Sequence, residues 1–370
     1  MSSSPCAENP SPFVLNDLPV AAFQARAAEF GIGADVARRF FAHVHRVAAP
    51  PVPVRERVRG LSIDALRRVT LAGGTARRLE LVTRKRSAID GFVKYLFRLH
   101  DGKLVESVAI PLPAGPDCTP EKFVLCISSQ VGCALACGFC ATGRLGFQRN
   151  LETWEIIDQV ARVRDDMADV APVRGIVFMG QGEPFLNYDA VIGAARILSD
   201  PSAFAIDARA ITISTAGIVP AIRRYTAERH RYRLAISLTS AIEEKRRRLM
   251  PIEKKYPLDE LIAAAREHAE VTRERITLEY VTIAGENIGE EDARALCERL
   301  AGIPIRLNLI DVNDATGRFT PPSDEELSRF RDFLVPLAQP VVRRYSGGKD
   351  VEGACGMLAS DHLVKQKRTG

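Results

Sequence analysis

No apolar run in the chain approaches the roughly 20 residues that span a bilayer. The first residues, MSSSPCAENPSPFVL, lack the basic-then-apolar pattern of a secretory leader. These two absences lead us to expect a cytoplasmic protein with no membrane partner. Histidine is sparse and scattered without metal-ligand pairing, with His43 and His45 on different sides of a predicted helix. The single tryptophan, Trp154, opens a helix and reads as packing rather than base stacking. A large net charge is missing too: +5 permits an anionic partner without requiring one. The eight cysteines come without an export signal, so reduced thiols acting as ligands or catalysts are expected.

Three of those cysteines share one short loop. Cys133, Cys137 and Cys140 lie in GCALACGFCATG, spaced C-x3-C-x2-C, with Phe139 directly before the last. Soft thiolates suit iron–sulfur clusters, zinc or copper(I). An ordinary cubane cluster takes four thiolates, so three leave one iron open to a substrate or cofactor. The competing reading is part of a structural zinc site completed by a distant Cys or His. Zinc sites show paired halves, and no second half is visible. Cys6, in the N-terminal tail, and Cys118, in a proline-rich linker, are not ligand candidates; Cys297, in EEDARALCERL, reads as core packing.

Punctuation and periodicity divide the chain. Residues 1–19 read as a disordered tail. Residues 20–75 form a small helical domain, broken by Gly31 and Gly33 and by Pro50, Pro51 and Pro53. Residues 76–120 alternate apolar and polar positions as a short antiparallel β meander and end in the linker PLPAGPDCTP. Over 121–345, six apolar β-branched runs alternate with helical segments, the signature of a parallel sheet covered by helices. The expected fold class is α/β, a partial TIM-like (βα)6 barrel with the helical domain and the meander attached. Residues 346–370 form a C-terminal segment.

In such barrels, functional groups gather where the strands end. The cysteine loop follows FVLCISSQ, and GQGEP, with Gly180, Gly182 and Glu183, follows RGIVFMG. Ser214 and Thr215 end AITIST, Ser237 to Thr239 end LAISLT, Asn308 lies within the last of the six runs and Asn313 just beyond it. Any one of these is ordinary turn chemistry; the series on the side of the cysteine loop is not. Basic concentrations at 82–87, 223–233, 243–255, 341–349 and the tail VKQKRTG read either as phosphate contacts or as solvated helix faces. Beside a catalytic centre they lean toward RNA.

The C-x3-C-aromatic-C loop resembles the signature of the radical S-adenosylmethionine (SAM) superfamily. Two further cysteines narrow the resemblance. Cys126 lies in CISSQVGC, seven positions before the first loop cysteine, and Cys355 in GGKDVEGACGML. With GQGEP, LAISL and MPIEKKY, these segments resemble the RlmN/Cfr family of radical SAM adenosine methyltransferases from the helical domain to Met357.

That resemblance implies a [4Fe–4S] cluster on Cys133, Cys137 and Cys140, with SAM on the open iron. It implies SAM contacts from Gly182, Glu183, Ser214, Ser237, Leu238, Thr239 and Asn313, and an RNA-binding role for the helical domain. Cys355 would be methylated by one SAM. A deoxyadenosyl radical from a second would then activate that methyl carbon for addition to carbon 2 or 8 of an adenine. Cys126 would resolve the covalent protein–RNA adduct through a transient disulfide with Cys355, and Glu106 would accept a proton. The implied substrates are 23S ribosomal RNA and transfer RNA, and the implied reductant is a flavodoxin or ferredoxin serving a monomeric enzyme. The chain departs from the family at Thr239, where histidine is usual. It departs again in LIDVNDATGRF, where a segment with proline and tryptophan is usual; both positions are expected near the cofactor and substrate surface. The alternative class is a non-catalytic RNA-binding protein with a structural zinc or a redox-sensing thiol cluster.

Overall fold

The computed structural model describes residues 14–46, 58–113, 120–314 and 316–358. The expectations for the first 13 residues, Cys6, Cys118 and the basic tail lie outside them. The amphipathic pattern of the N-terminal part gives helices α1 (Val20–Ala28), α2 (Ala34–Arg46) and α3 (Ile63–Leu71). They close over Phe23, Phe40 and Phe41, whose rings meet edge to face. Ser62 caps α3 by accepting the Ala65 N–H.

Strands β1 (Glu80–Arg86), β2 (Val93–Arg98), β3 (Leu104–Pro113) and β4 (Pro120–Cys126) follow, then the short β5 (Gln130–Gly132). Next come α4 (Ala141–Leu145), β6 (Phe147–Asn150), α5 (Thr153–Asp166), β7 (Val173–Phe178), α6 (Tyr188–Ser199), β8 (Ile211–Thr215) and α7 (Val219–Glu228). The chain continues through β9 (Arg233–Ser237), α8 (Glu243–Leu249), α9 (Leu258–Thr272), β10 (Ile276–Thr282) and α10 (Glu290–Arg299). It ends with β11 (Ile305–Asp311), α11 (Asp324–Phe333) and β12 (Val341–Arg344). Helix α11 opens with a reciprocal cap: Ser323 Oγ accepts the Glu326 N–H, and the Glu326 carboxylate accepts the Ser323 N–H.

One ten-stranded sheet runs in the order β1-β2-β3-β4-β7-β8-β9-β10-β11-β12. The first four strands pair antiparallel, and β4 through β12 pair parallel. The parallel strands read as apolar runs because the sheet is covered on both faces. Two features differ from the sequence expectation. The meander and the barrel share one sheet, a link the sequence does not show: β3 pairs with β4 through Pro111 and Pro113, so the sheet is continuous. Those prolines are tolerated because β2 pairing ends at Val93↔Ala109, leaving the far side of this stretch without a ladder to serve. There is also a seventh parallel strand, β12, hidden by its charged sequence VVRR and short length.

The two ends of the curled sheet are joined by the chain after β12. Tyr345 Oη and the Gly348 N–H both donate to Asp90 Oδ2, in the β1–β2 turn, at 2.9 and 2.8 Å. No helix among the described residues is long and apolar enough to cross a membrane.

Candidate active site

The cysteine loop is the connection between β5 and β6, which pair antiparallel beneath it. Its base is tight. A Cβ on Gly132 would lie 1.8 Å from the Gly146 carbonyl oxygen, and one on Gly143 would lie 3.1 Å from the Cys137 nitrogen. The Gly138 N–H donates to the Leu249 carbonyl at 2.9 Å, tying the loop to the end of α8. Cys133, Cys137 and Cys140 line one cavity at the C-terminal mouth of the strands, together with Gly182, Glu183, Ser214, Ser237, Asn313 and Cys355.

Each partner is brought in by a strand end. Gly180 and Gly182 let the chain after β7 pass against Ile127 and Gln130: a Cβ would lie 2.6 Å from the Ile127 oxygen or from the Gln130 Cβ, and Gly182 has φ +104°. Glu183 is buried. It accepts from the Phe185 N–H (3.0 Å) and, across strands, from the Ala216 N–H (2.8 Å). Burial pushes its carboxyl up to about 7 despite these bonds. A cationic ammonium in the cavity is the natural counterpart of such a group.

Cys355 reaches the cavity from the C-terminal segment. That segment is pinned to the cluster loop by Ala141 N–H to Gly356 O (2.7 Å) and Thr142 Oγ1 to Leu358 O (2.7 Å). Asn313 Nδ2 donates to Ser346 Oγ (2.9 Å) and to the Cys355 carbonyl (3.3 Å), so Asn313 holds this segment as well as lining the cavity. Cys355 is exposed on its cavity side, yet protein encloses it enough for burial to push its thiol up to about 11. It also lines a second, smaller cavity, on whose wall Cys126 sits. Cys126 is buried, and its thiol is pushed up to about 12 by burial first and by Cys355 next.

Three expected residues do not line either cavity. Leu238 is core. Thr239 is fully buried with φ +59°, its carbonyl accepting from Asn287 Nδ2 at 2.7 Å. The departure at Thr239 therefore lies inside the protein rather than on the cofactor surface. Glu106 is fully buried on β3 and ion-paired with Lys94 at 3.0 Å. The second departure, LIDVNDATGRF, packs on the cluster loop: Phe319 lies 3.7 Å from where a Gly138 Cβ would be, and Arg144 pairs with Asp314 at 3.2 Å.

The sequence reading missed Glu279, Met179 and Arg344. Glu279, on β10, lines the main cavity; its Oε1 accepts from Asn308 Nδ2 (3.1 Å) and Arg344 Nη1 (3.3 Å), and burial raises its carboxyl. The registers Ser237↔Glu279↔Asn308 put all three in one row across the barrel. A carboxylate inside an apolar strand followed by polar row-mates was the available signal.

A sequence profile of the Radical SAM superfamily matches residues 127–297. A probable RNA methyltransferase of Anaeromyxobacter sp. is 53% identical over 339 residues, which cover 91% of this chain and 96% of that protein. The dual-specificity RNA methyltransferase RlmN of Geotalea uraniireducens is 43% identical over 282 residues, 75% and 79% of the two chains. The crystal structure of a radical SAM methyltransferase from Sphaerobacter thermophilus aligns with a TM-score of 0.83 at 35% identity, over 94% of this chain and 99% of that one. The chain belongs to the radical SAM RNA methyltransferase family.

Membership in the radical SAM RNA methyltransferases brings a [4Fe–4S] cluster and SAM, and the donor set fits both. No group of three or more His, Cys, Asp or Glu among the described residues is arranged to hold a single metal ion. Three thiols around one cavity suit instead a cluster in which each sulfur takes its own iron. Burial pushes the Cys133 thiol up to about 12 and Cys137 well above its usual value. The deprotonated form therefore depends on the iron itself.

The basic concentrations are less available to RNA than their sequence implies. Arg246 is fully buried against Glu253; Lys245 pairs with Asp292 and Glu291, Arg248 with Glu286, and Arg343 with Asp311 and Asp324. Arg229, Arg231 and Arg233 are exposed, but the first two precede β9 and Arg233 opens it, so they lie at the N-terminal ends of the strands, away from the cavity.

Proposed function

We propose that this enzyme methylates carbon 2 or carbon 8 of an adenine in 23S ribosomal RNA, with transfer RNA as a second substrate class, and that Cys355 carries the methyl group as a thioether. The observation that carries the reading is the position of Cys355. It borders both the cavity of the three cluster cysteines and the cavity of Cys126.

The bound cluster and SAM supply the methyl group and the one-electron chemistry that activates it. Glu183 binds the SAM ammonium, and Gly182, Ser214, Ser237 and Asn313 line the rest of the cofactor. Glu106, buried on β3 two residues from Val108 of the smaller cavity's wall, is the final acceptor of the proton that the adenine carbon loses. The Cys126 sulfur then attacks the Cys355 sulfur. A disulfide bond forms, and the sulfur–carbon bond breaks with its electron pair moving to carbon. That carbon takes a proton and leaves as the RNA methyl group. The enzyme acts as a cytoplasmic monomer reduced by a flavodoxin or ferredoxin.

The test is mass spectrometry of nucleosides from large-subunit and transfer RNA of cells with and without the gene. A methyladenosine that disappears with the gene and is not restored by Cys355→Ala is expected, and its fragmentation identifies the carbon. If every methyladenosine persists, or Cys355→Ala restores the loss, the thiol-carrier reading fails.

A further inference from the structure

Lys94 is a buried lysine on β2, far in sequence from any cofactor residue, and its ammonium has three partners. It stands 3.0 Å from Glu106 Oε1, donates to the Glu352 carbonyl at 3.3 Å and stands 3.6 Å from Glu352 Oε2. One of its three donors takes the Glu352 carbonyl, and the two carboxylates are ion-pair contacts. Strand register explains the first contact. Lys94 pairs with Val108 and Leu96 with Glu106, making Lys94 and Glu106 diagonal neighbours on one face. Val108 in turn pairs with Cys126, so Lys94, Val108 and Cys126 form one row across three strands.

The second contact reaches the moving part of the chemistry. Glu352 lies three residues before Cys355 and sits in the left-handed region at φ +54°, a conformation a non-glycine residue holds only when its surroundings fix it. The next residue, Gly353, donates to the Gly348 carbonyl at 2.8 Å and packs toward Val108. One ammonium thus joins the Glu106 carboxylate, the Cys126 strand row and the turn that presents Cys355.

We propose that Lys94 is a positioning residue for the late half of the reaction: anchored on the Glu352 carbonyl of the Cys355 turn, it holds the Glu106 carboxylate charged and in place. The inference rests on the thiol-carrier reading above. A fully buried carboxylate without its cation is costly; burial then favours its neutral form, which already holds the proton and cannot take another. The first half, methylation of Cys355, does not use Glu106. The turn also keeps its anchors at Asp90, Asn313 and Ala141.

The test uses reconstituted holoenzyme with a 23S ribosomal RNA transcript and three readouts: the mass of the Cys355 peptide, covalent protein–RNA species on a denaturing gel, and methyladenosine formed. For Lys94→Met, Cys355 methylation within about twofold of wild type and a covalent species raised about tenfold are expected. Because Lys94→Met buries a lone carboxylate, the comparison that survives a folding failure is Glu106→Gln against Glu106→Gln/Lys94→Met. If Lys94 acts through Glu106, the two accumulate covalent species equally, within about twofold. Wild-type turnover by Lys94→Met overturns the proposal. So does loss of Cys355 methylation with iron content intact, or a double variant clearly worse than Glu106→Gln. A wild-type enzyme that methylates RNA without ever showing the Cys355 methyl mass overturns the thiol-carrier reading itself, and this inference with it.

Discussion

Arg246 offers a sharp test of how the strand ends are held. Its side chain is fully buried, and all three guanidinium nitrogens have partners. Nε donates to the Leu238 carbonyl at 3.2 Å, Nη2 to the Ala216 carbonyl at 2.8 Å, and Nη1 pairs with Glu253. Leu238 follows β9 and Ala216 follows β8, so one guanidinium ties together the two turns next to Ser237 and Ser214. In Arg246→Met the Glu253 carboxylate stays buried, with the Leu258 N–H at 2.8 Å as its remaining donor. Breaking a buried pair from one side costs about 3–5 kcal/mol, a large share of the roughly 5–15 kcal/mol that folds a domain. Arg246→Met/Glu253→Gln removes the lone charge while keeping an acceptor for Leu258, and should recover more than half of the loss. Urea unfolding at pH 7, followed by circular dichroism, measures both. A single variant within about 1 kcal/mol of wild type, or a double variant as unstable as the single, would refute the reasoning.

Two further outcomes follow from local geometry. Burial lowers the His268 imidazole to about 4, so the folded state keeps it neutral while the unfolded chain protonates near 6.5. The unfolded state therefore binds more protons below pH 6.5, and stability falls by about 3 kcal/mol as pH drops from 6.5 to 4; urea midpoints of His268→Gln should show a flatter pH profile, and an unchanged slope counts against it. Gly182→Ala forces a side chain into φ +104° and against Gln130 at 2.6 Å, so equilibrium dialysis should show SAM binding weakened at least about tenfold, while Gly33→Ala, with nothing within 4 Å, leaves it unchanged.

The cysteine loop and the strand-end series were legible because their signals are local. Ligand spacing, glycine before a close approach, and apolar runs of strand length all sit within a few residues of each other. Long-range pairing was not legible. VVRR stayed open between a phosphate contact and a solvated face because the partners of Arg343 and Arg344, at Asp311, Asp324 and Glu279, are distant in sequence. Pro111 and Pro113 hid the end of β3 because strand rules count prolines without knowing which side of the strand is free. Thr239 was assigned to the cofactor by the family resemblance, through its place in the LAISLT motif. Its left-handed backbone turns the carbonyl to Asn287 and its side chain into the core, a detail of φ that residue order does not carry.

The roles proposed for the two distal cysteines rest on position more than on intrinsic reactivity. Burial pushes Cys126 up to about 12 and Cys355 up to about 11, so neither is a ready thiolate near neutral pH. What differs is access. Cys126 is fixed inside β4 and meets the smaller cavity alone, whereas Cys355 borders both cavities. The turn that presents it has three left-handed corners within nine residues, at Gly348, Glu352 and Gly356. It is anchored to the meander on one flank, through Asp90 and Lys94, and to the cluster loop on the other, through Ala141 and Thr142. A thiol that takes a methyl group on one side and surrenders it on the other, the role proposed for Cys355, is best placed in such a wall. The antiparallel strands fused to the barrel edge are what supply its second face.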